Sequence, residues 1–452
     1  NITLINGAAA LGGAINNAEN LLLNNVKLTN NTATVAGGAI YNNGGNIFIN
    51  YSTIANNRSN GNGGAINSLK GNVEIYYSTL SHNQSRGNGG AINVENGSLS
   101  VNASTLSHNL AQGDGGAIAA YNSSLLSDSN TLAYNGAANG GAIYANGGKV
   151  TVFGNTIAFN HVAEFGSGSG LYIGDGTSYS VMRTLAVFNH ANGSYGEDVY
   201  VTMRASGIIE DSIYIYLGDE TPIGEDVEFF PGAYYLDSDI FTSEFLHDNG
   251  GWTQTLALAV NSLARDYGDP DNKSEVDEFD QRGYMRDGSY DIGAFEYAGA
   301  IGKVYSDANK SDNGTTIIYI SSLEDLNDIK GNLDVYLFNT RILAEDIDLY
   351  LYTESKDKDG KLTNVARNIN IYGANDGSTV ISSGLQGYGF NFMGGVTTTT
   401  NDKGEVTGTQ KVSGNVLMNR ITVSDMVGGA IMTDAASIVS GSKINFVDGT
   451  IS

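Results

Sequence analysis

The side chains that could bind a metal or act as acids and bases are few in the first half of this sequence. His82 and His108 lie 26 residues apart, and imidazole is a common metal ligand. Glu74 and Glu95 are carboxylates in segments that alternate polar and apolar residues. These four residues make metal binding and glycoside hydrolysis the two chemistries to test first.

Glycosidases need two carboxylates about 5–9.5 Å apart. If 26 residues form one coil of a stacked structure, equivalent residues stand about 4.8 Å apart, so a catalytic pair would share one position in neighbouring coils. The residues 26 positions before and after the glutamates are not acidic: Phe48 and Ser100 flank Glu74, and Leu69 and Tyr121 flank Glu95. We therefore predict that the chain is not an enzyme.

The two histidines share their position in the repeat with Asn56, Tyr134 and Phe159. A position that accepts such different side chains is typical of a variable, partly exposed column. We therefore predict no metal site at this pair.

A run of carboxylates further along could bind calcium, whose protein ligands are oxygens. It includes Asp269, Asp271 and Asp277, but its spacing does not match a calcium-binding loop. Two hypotheses remain, a bound Ca²⁺ and a solvated acidic loop. We predict no other cofactor.

The element that must position these residues is a repeated Gly-Gly-Ala-Ile motif. Six copies are separated by steps of 25, 26, 26, 26 and 25 residues, and another copy appears near the end of the chain. A fixed period of this length indicates a solenoid or a propeller, and the paired glycines suit tight corners. The first glycines of the copies are Gly12, Gly37, Gly63, Gly89, Gly115, Gly140 and Gly428.

A second motif, which ends in asparagine, repeats in phase with the first. Alternating segments such as 46–50 and 73–76 predict strands, and a propeller blade would need about 40 residues. We predict an all-β fold, a right-handed parallel β-helix with three short strands and three corners in each coil. The asparagines would stack as an amide ladder: Asn31, Asn57, Asn83, Asn109, Asn135, Asn160 and Asn189.

The alternation of Gly-Gly-Ala-Ile with motifs such as Leu80-Ser81-His82-Asn83 and Ile157-Ala158-Phe159-Asn160 resembles the polymorphic outer-membrane protein (Pmp) repeats of bacterial surface adhesins and autotransporter passengers. The resemblance covers about 190 residues, with leucine or isoleucine where the family has phenylalanine. It implies a β-helix and exposure at the cell surface.

A later part of the chain, Asn249–Ala257 with Asp280–Gly283 and Asp291–Tyr297, resembles the "choice-of-anchor Q" type of motif that closes β-helical regions of secreted bacterial surface proteins. The resemblance implies a cap. Arginine forks suit carboxylates, so we predict buried pairing of Arg282 or Arg286 with Asp280 or Asp291.

These patterns predict four regions: regular coils over 1–195, irregular coils and a C-terminal cap over 196–300, a polar linker over 301–316, and the start of a second β-helix over 317–452. A short capping helix would begin after Ser322, with Asp325 in the capping-box position. Because the copy at Gly428 repeats features of the first residues, we interpret the chain as one unit followed by the start of another.

The composition excludes some functions. The 452 residues carry a formal charge of −25 and no cysteine, which argues against nucleic-acid partners and excludes disulfides. No apolar run is long enough to span a membrane. We predict an extracellular protein on a bacterial surface.

The resulting hypothesis is a stalk, adhesin or self-assembling fibre whose partners are its own copies or other surface proteins and glycans. Adhesion to a host, adhesion to bacteria and polymerisation remain open. The alternative is a carbohydrate-binding or polysaccharide-degrading β-helix, with Tyr51, Tyr76 and Tyr121 as stacking platforms.

Overall fold

The structure, a computed structural model, describes most of the first 210 residues and shorter stretches beyond them. The described residues are 2–191, 194–195, 197–210, 212–214, 227–229, 240–259, 262–265, 267, 279–286, 290–297, 301–311, 314–337, 341–343, 347–356, 362–373, 379–382, 390–393, 395–400, 406–413, 415–419, 421–424, 431–433, 444–447 and 450–451. The chain forms two compact units, the first comprising 1–247, 252–281 and 288–297 and the second 248–251, 282–287 and 298–452.

The first unit is a parallel β-solenoid of three sheets, which confirms the predicted all-β class. Sheet 1 stacks the strands Ile2–Ile5, Val26–Thr29, Thr53–Ala55, Thr79–Ser81, Thr105–Ser107, Thr131–Ala133, Thr156–Ala158, Leu185–Val187, Ser212–Tyr214 and Val227–Phe229. Sheet 2 stacks Ala8–Leu11, Thr32–Ala36, Arg58–Ser59, Gln84–Ser85, Leu110–Ala111, Gly136–Ala137, His161–Val162, His190–Ala191 and Ser194–Tyr195.

Sheet 3 is bent and receives two strands from most coils. These are Ile15–Asn17 and Asn20–Asn24, Ile40–Asn43 and Asn46–Asn50, Ile66–Leu69 and Asn72–Tyr76, Ile92–Glu95 and Ser98–Asn102, the long strands Ile118–Asp128 and Ile143–Phe153, then Leu171–Ile173 and Thr177–Met182, and Val199–Val201 and Ser206–Glu210. In Ile118–Asp128 and Ile143–Phe153 the two strands merge into one.

The core of this unit is built from identical positions of successive coils. Register pairs join Leu80 to Leu106 and Leu106 to Leu132, so apolar side chains stack in columns along the inside. The isoleucine of the Gly-Gly-Ala-Ile motif forms a second column, exemplified by Ile66 paired with Ile92. All these side chains are fully buried, because each coil covers the apolar residues of its neighbour.

Most coils turn at four residues with left-handed backbone, one more corner than the sequence predicts. In one coil these are Gly89 (φ 67°), Asn96 (φ 54°), Ala103 (φ 46°) and His108 (φ 56°). The additional corner is the bend inside sheet 3. It carries Lys70, Asn96 or Asn122 in successive coils, so no single residue type marks it in the sequence.

The two glycines of the motif are required for different reasons. The described first glycines have φ between 61° and 72°, and a Cβ at Gly89 would lie 2.2 Å from the carbonyl oxygen of Ile92. At Gly90 a Cβ would lie 2.1 Å from the carbonyl oxygen of Gly116, in the next coil. The first glycine therefore allows the turn, and the second allows the coils to approach. Gly428 lies outside the described residues.

The part of the first unit predicted to be a C-terminal cap lies on the side of sheet 1. We name residues 240–247, 252–259, 262–265, 279–281 and 290–297 the lateral segment. Its Phe241, Leu256 and Ile292 form a buried cluster with Ala133, Leu185 and other outward-facing residues of sheet 1. A cap over the end of the coils is therefore the wrong description of these residues. The outer face of sheet 1 is lined with small and apolar side chains, and covering them removes that surface from water.

Hydroxyl groups on sheet 1 also hold the lateral segment. Gln281 is fully buried, and its side-chain oxygen accepts a hydrogen bond of 2.6 Å from Thr131 Oγ1 while Nε2 donates to Thr105 Oγ1 at 2.9 Å. The backbone N–H of Ala294 donates to Thr156 Oγ1 at 3.0 Å. The lateral segment thus bonds to three successive coils.

The second unit is also a parallel solenoid. Its stacked strands are Leu333–Leu337, Ile369–Tyr372, Val416–Asn419 and Ile444–Val447; Arg341–Leu343, Thr379–Ser382, Ile421–Ser424 and Thr450–Ile451; and Ile347–Tyr350, Phe390–Met393 and Ile431–Thr433. Two antiparallel hairpins, Tyr352–Lys356 with Leu362–Ala366 and Gly395–Thr400 with Val406–Val412, extend two of its coils.

The described residues of the stretch 301–316, which was predicted to be a linker, lie instead in a β-hairpin. Strands Gly302–Ser311 and Gly314–Ile320 pair with each other, and the first also pairs with Leu333–Leu337. The polar composition of 306–312 concealed this pairing, because the apolar residues that anchor it, Ile301, Val304 and Ile320, lie at the other end of the hairpin and are buried.

The predicted capping helix is a single 3₁₀ turn, Glu324–Asn327. Ser322 N–H donates to Asp325 Oδ2 at 2.8 Å, and Asp325 N–H donates to Ser322 Oγ at 3.3 Å. Arg367 is almost fully buried and donates to the carbonyl oxygens of Leu326 and Ile329 at 2.8 and 2.7 Å. Burial lowers the pKa of Arg367 to about 10, and these carbonyls replace the water that the guanidinium loses.

The corner geometry predicts different effects of the same substitution at two glycines. Gly89→Ala should destabilise the protein by more than the roughly 1–2 kcal/mol of a left-handed alanine, because its Cβ would overlap the Ile92 carbonyl. Gly44→Ala is the control, since Gly44 also has positive φ but a Cβ there would meet nothing within 4 Å. Denaturant midpoints measure both effects, and equal losses would contradict this account of the corner.

Candidate functional site

The seven asparagines singled out by the repeat form one continuous hydrogen-bonded ladder. Asn83 donates from its backbone N–H and from Nδ2 to Asn109 Oδ1, each at 3.0 Å, and Nδ2 also donates to the carbonyl oxygen of Ile54 at 2.9 Å. The same pattern recurs from coil to coil, and every member is buried. Each amide therefore donates to a carbonyl of the preceding coil and to the asparagine of the following coil, and so ties its own coil to the coils on both sides.

The ladder ends on a carboxylate that the sequence did not identify. Asn189 Nδ2 donates to Asp198 Oδ1 at 2.6 Å, and Asp198 is buried. Asp198 is only nine residues after Asn189, so it breaks the period and could not be found by looking for a spacing of 26.

A second ladder at another corner was also missed. Ser52 N–H donates to Ser78 Oγ, and Ser78 N–H donates to Ser104 Oγ, both at 3.0 Å. The ladder continues through Asn130 and Asn155. The signal was present as serine or asparagine at the same period, but the change of residue type made it less visible than the asparagine column.

The histidine pair belongs to an aromatic column at the left-handed corner before the asparagine ladder. His82 and His108 stack with centroids 4.7 Å apart and planes 2° apart. The column continues through Tyr134, Phe159 and Phe188 at 4.9, 5.3 and 5.6 Å. Parallel stacked imidazoles do not point their nitrogens at a common ion. Within the described residues, no group of three or more His, Cys, Asp or Glu side chains could hold a metal.

The electrostatics of the column affect one histidine. Burial, and secondly the neighbouring His82, lower the pKa of His108 below its ordinary value. Both causes act in the same direction, because each disfavours a positive charge on the imidazole of His108.

The three tyrosines proposed as sugar-stacking platforms are half-buried. The ring of Tyr51 stacks on Tyr77 at 5.3 Å and also contacts Trp252 at 4.9 Å. The hydroxyl of Tyr76 donates to Glu74 at 3.5 Å, and that of Tyr121 donates to Asp114 at 3.1 Å. The rings thus contribute to contacts within the protein.

The four residues predicted to pair in the cap are all buried. Asp280 and Asp291 accept hydrogen bonds from the backbone N–H groups of Glu296 and Tyr297 in the first unit. Arg282, in the second unit, lies over the ring of Tyr284 at 3.9 Å, and Arg286 belongs to the same unit. Their pairing with the aspartates stays a prediction.

The residues of the calcium hypothesis, Asp269, Asp271 and Asp277, lie outside the described residues. A calcium ion bound there stays a prediction.

Comparison with known protein families supports the repeat assignment. Residues 25–43 match the model of the Chlamydia polymorphic membrane protein repeat. The matched stretch contains Asn31 of the ladder and the corner at Gly37. Pmp proteins are surface-exposed outer-membrane proteins, which supports a bacterial cell-surface location in general terms.

No curated protein and no solved structure matches the chain. The resemblance of residues 249–297 to a closing motif stays a prediction. Among the described residues, none of the helices has the length and apolar character needed to cross a membrane.

The ladder geometry predicts a large effect of shortening one buried amide. Asn109→Ala leaves the Asn83 N–H and Nδ2 groups without their acceptor and the Leu80 carbonyl without its donor. Unsatisfied buried groups cost roughly 1–3 kcal/mol each, so we expect a loss on the order of 3–5 kcal/mol in the free energy of unfolding.

Asn46→Ala is the matched control, because Asn46 lies in an amide row at the surface, where water can replace its partners. Its loss should stay below about 1 kcal/mol. Urea unfolding measures the free energy of unfolding of both variants. Similar decreases in the two variants would show that burial of the ladder is not what makes it stabilising.

The histidine column predicts a pH-dependent contribution to stability. The pKa of His108 is lower in the folded state than its ordinary value. Below about pH 6.5 the unfolded chain therefore binds more protons at this residue than the folded chain does, and the contribution of His108 to the free energy of unfolding decreases as the pH is lowered. The variant His82→Asn/His108→Asn should lose less stability than the original protein between pH 7.5 and 5.5. Asparagine fits here, since Asn56 has the same backbone conformation.

Urea midpoints at the two pH values measure this effect. Identical pH profiles for the double variant and the original protein would contradict the assignment.

Proposed function

We propose that this chain, a Pmp-type repeat protein, serves as a stalk or adhesin on a bacterial surface, in which β-solenoid units follow one another along the chain. The observation that carries the proposal is the presence of two solenoid units in a chain that bears a surface-protein repeat. A stalk needs elements that extend by addition of like units, and a solenoid does so because each coil contacts only its neighbours.

The internal bonding of the first unit suits a protein that is exposed outside the cell. Buried ladders of amides and hydroxyls connect its coils at two corners, and the lateral segment bonds to further coils. A protein without cysteine cannot use disulfides, and these contacts provide cross-links between coils in their place. The net charge of −25 opposes non-specific association.

The alternative of glycan binding has less support from the geometry. A sugar stacks on the face of an aromatic ring, whereas the rings of Tyr144, Tyr172 and Tyr200 stack on one another at 4.7 and 5.2 Å. The column therefore offers mainly ring edges. Burial, and then the neighbouring tyrosines and aspartates, raise the pKa of Tyr172 to about 12, so its hydroxyl remains a neutral hydrogen-bond donor.

The proposal is tested by coating beads with the folded chain and counting the beads that attach to host cells and to bacterial cells. Attachment above that of beads coated with heat-unfolded chain is the expected result. Absence of attachment to both cell types would overturn the adhesive role. Cleavage of any member of a polysaccharide panel by the same preparation would favour the enzyme alternative.

A further inference from the structure

Sheet 2 has an outer face whose charge differs from that of the whole chain. The chain carries 48 acidic residues and 23 lysines and arginines, yet the nine strands that the structure describes in sheet 2 contain no Asp or Glu. Sheet 3, in contrast, carries Glu74, Glu95, Asp128 and Glu210 within its strands. A negatively charged partner is therefore repelled less at sheet 2 than at sheet 3.

Two arginines from neighbouring coils give this face a positive charge. Arg58 begins a strand and stands in register with Gln84 of the following coil. The N–H of Arg86 donates to the carbonyl oxygen of Ser59 at 3.1 Å, which continues the parallel pairing and places Arg86 beside Asn60. Ser59 is buried and its two neighbours are exposed, so the arginine side chains point away from the core.

Both guanidinium groups are available to an external ligand. In the described part of the chain, neither Arg58 nor Arg86 forms an ion pair or a side-chain hydrogen bond. The carboxylate of Asp114, at the corner between sheets 2 and 3, accepts hydrogen bonds from the Tyr121 hydroxyl at 3.1 Å and from Asn139 Nδ2 at 2.9 Å. The acidic group of this corner is thus engaged with other partners.

The spacing of the arginines suits a ligand with several anionic groups. Strands about 4.8 Å apart and a rise of about 3.3 Å per residue put the Cα atoms of Arg58 and Arg86 roughly 8 Å apart. Two positive charges at this separation repel each other, and an anion between them offsets the repulsion. Guanidinium forks bind oxyanions through paired N–H groups. The exposed amides of Asn60 and Gln84 lie beside them and can bind hydroxyl groups.

We propose that the outer face of sheet 2 around Arg58 and Arg86 binds a linear polysaccharide that carries sulfate or carboxylate groups. Such a polymer supplies anions for the arginines and hydroxyl groups for the amides, and it needs no aromatic stacking. Duplex nucleic acid, with one charge per about 1.7 Å, is repelled more strongly by the rest of a chain of net charge −25. The inference names a ligand for the adhesive role proposed above and rests on that role.

The site is tested by biolayer interferometry of the full chain on immobilised heparin, polygalacturonate and dextran. We expect binding to at least one of the two anionic polymers and none to dextran, with binding that weakens as salt screens the charges. Heparin alone would identify sulfate as the ligand group, and polygalacturonate alone would identify carboxylate. Equal binding to dextran, or no binding to any polymer, would overturn the proposal.

The double variant Arg58→Gln/Arg86→Gln should weaken binding to the anionic polymer by about tenfold or more, because both charge-assisted contacts are lost. Glutamine is compatible with the fold at these positions, since Gln84 and Gln112 occupy the equivalent positions of the following coils. Circular dichroism first establishes that the variant is folded.

Lys70→Asn/Lys149→Gln is the matched control, because it removes the same charge from two exposed residues of sheet 3. Asparagine fits at the first position, since Asn96 has the same left-handed backbone there in the next coil. The control should bind as the original protein does. An equal loss in both double variants would show that net charge, and not the face of sheet 2, determines binding. Duplex DNA bound as tightly as the polysaccharide would likewise overturn the proposal.

Failure of this site and failure of the adhesive role are separate outcomes. If the chain binds an anionic polysaccharide but its beads attach to no cell, the site stands and the adhesive role is overturned. If the beads attach to cells but the chain binds neither anionic polymer, the site is overturned and the adhesive role stands.

Discussion

The buried asparagine ladder is the constraint on which the first unit depends. Each amide must accept from the coil before it and donate to the coil after it, and it also donates to a carbonyl of the coil before it. A buried amide group that lacks its hydrogen-bond partner lowers the free energy of unfolding substantially. Consequently the length of every coil is held near 26 residues, and apolar side chains such as Leu80 and Leu106 meet in register.

The left-handed corners differ in which residues they accept, and the difference follows from their surroundings. At Gly89 a side chain would overlap the backbone of its own turn, so the motif retains glycine. At the corner of His108 the side chain points outward and stacks on its neighbours, and asparagine, histidine, tyrosine and phenylalanine all occur there. The stacking of these side chains offsets part of the cost of positive φ in residues other than glycine.

The lateral segment shows how a side of the solenoid acquires a partner. Sheet 1 presents Thr131, Ala133 and Ala158 outward, side chains too small to cover their own backbone. The apolar residues of the lateral segment bury them, and Gln281 uses the hydroxyl groups of successive coils as donors and acceptors. Attachment to several coils at once joins distant parts of the chain, so these coils are stabilised together.

The sequence by itself determined the features that repeat: the parallel solenoid, the glycine corners and the asparagine ladder, because stacking requires the same residue type at every coil. The structure alone decided the features that occur once or vary in type: Asp198 at the end of the ladder, the pairing of Gly302–Ser311 with Gly314–Ile320 and the side position of the lateral segment. These contacts join residues with no common period, so they depend on how the coils and the later chain come together in space.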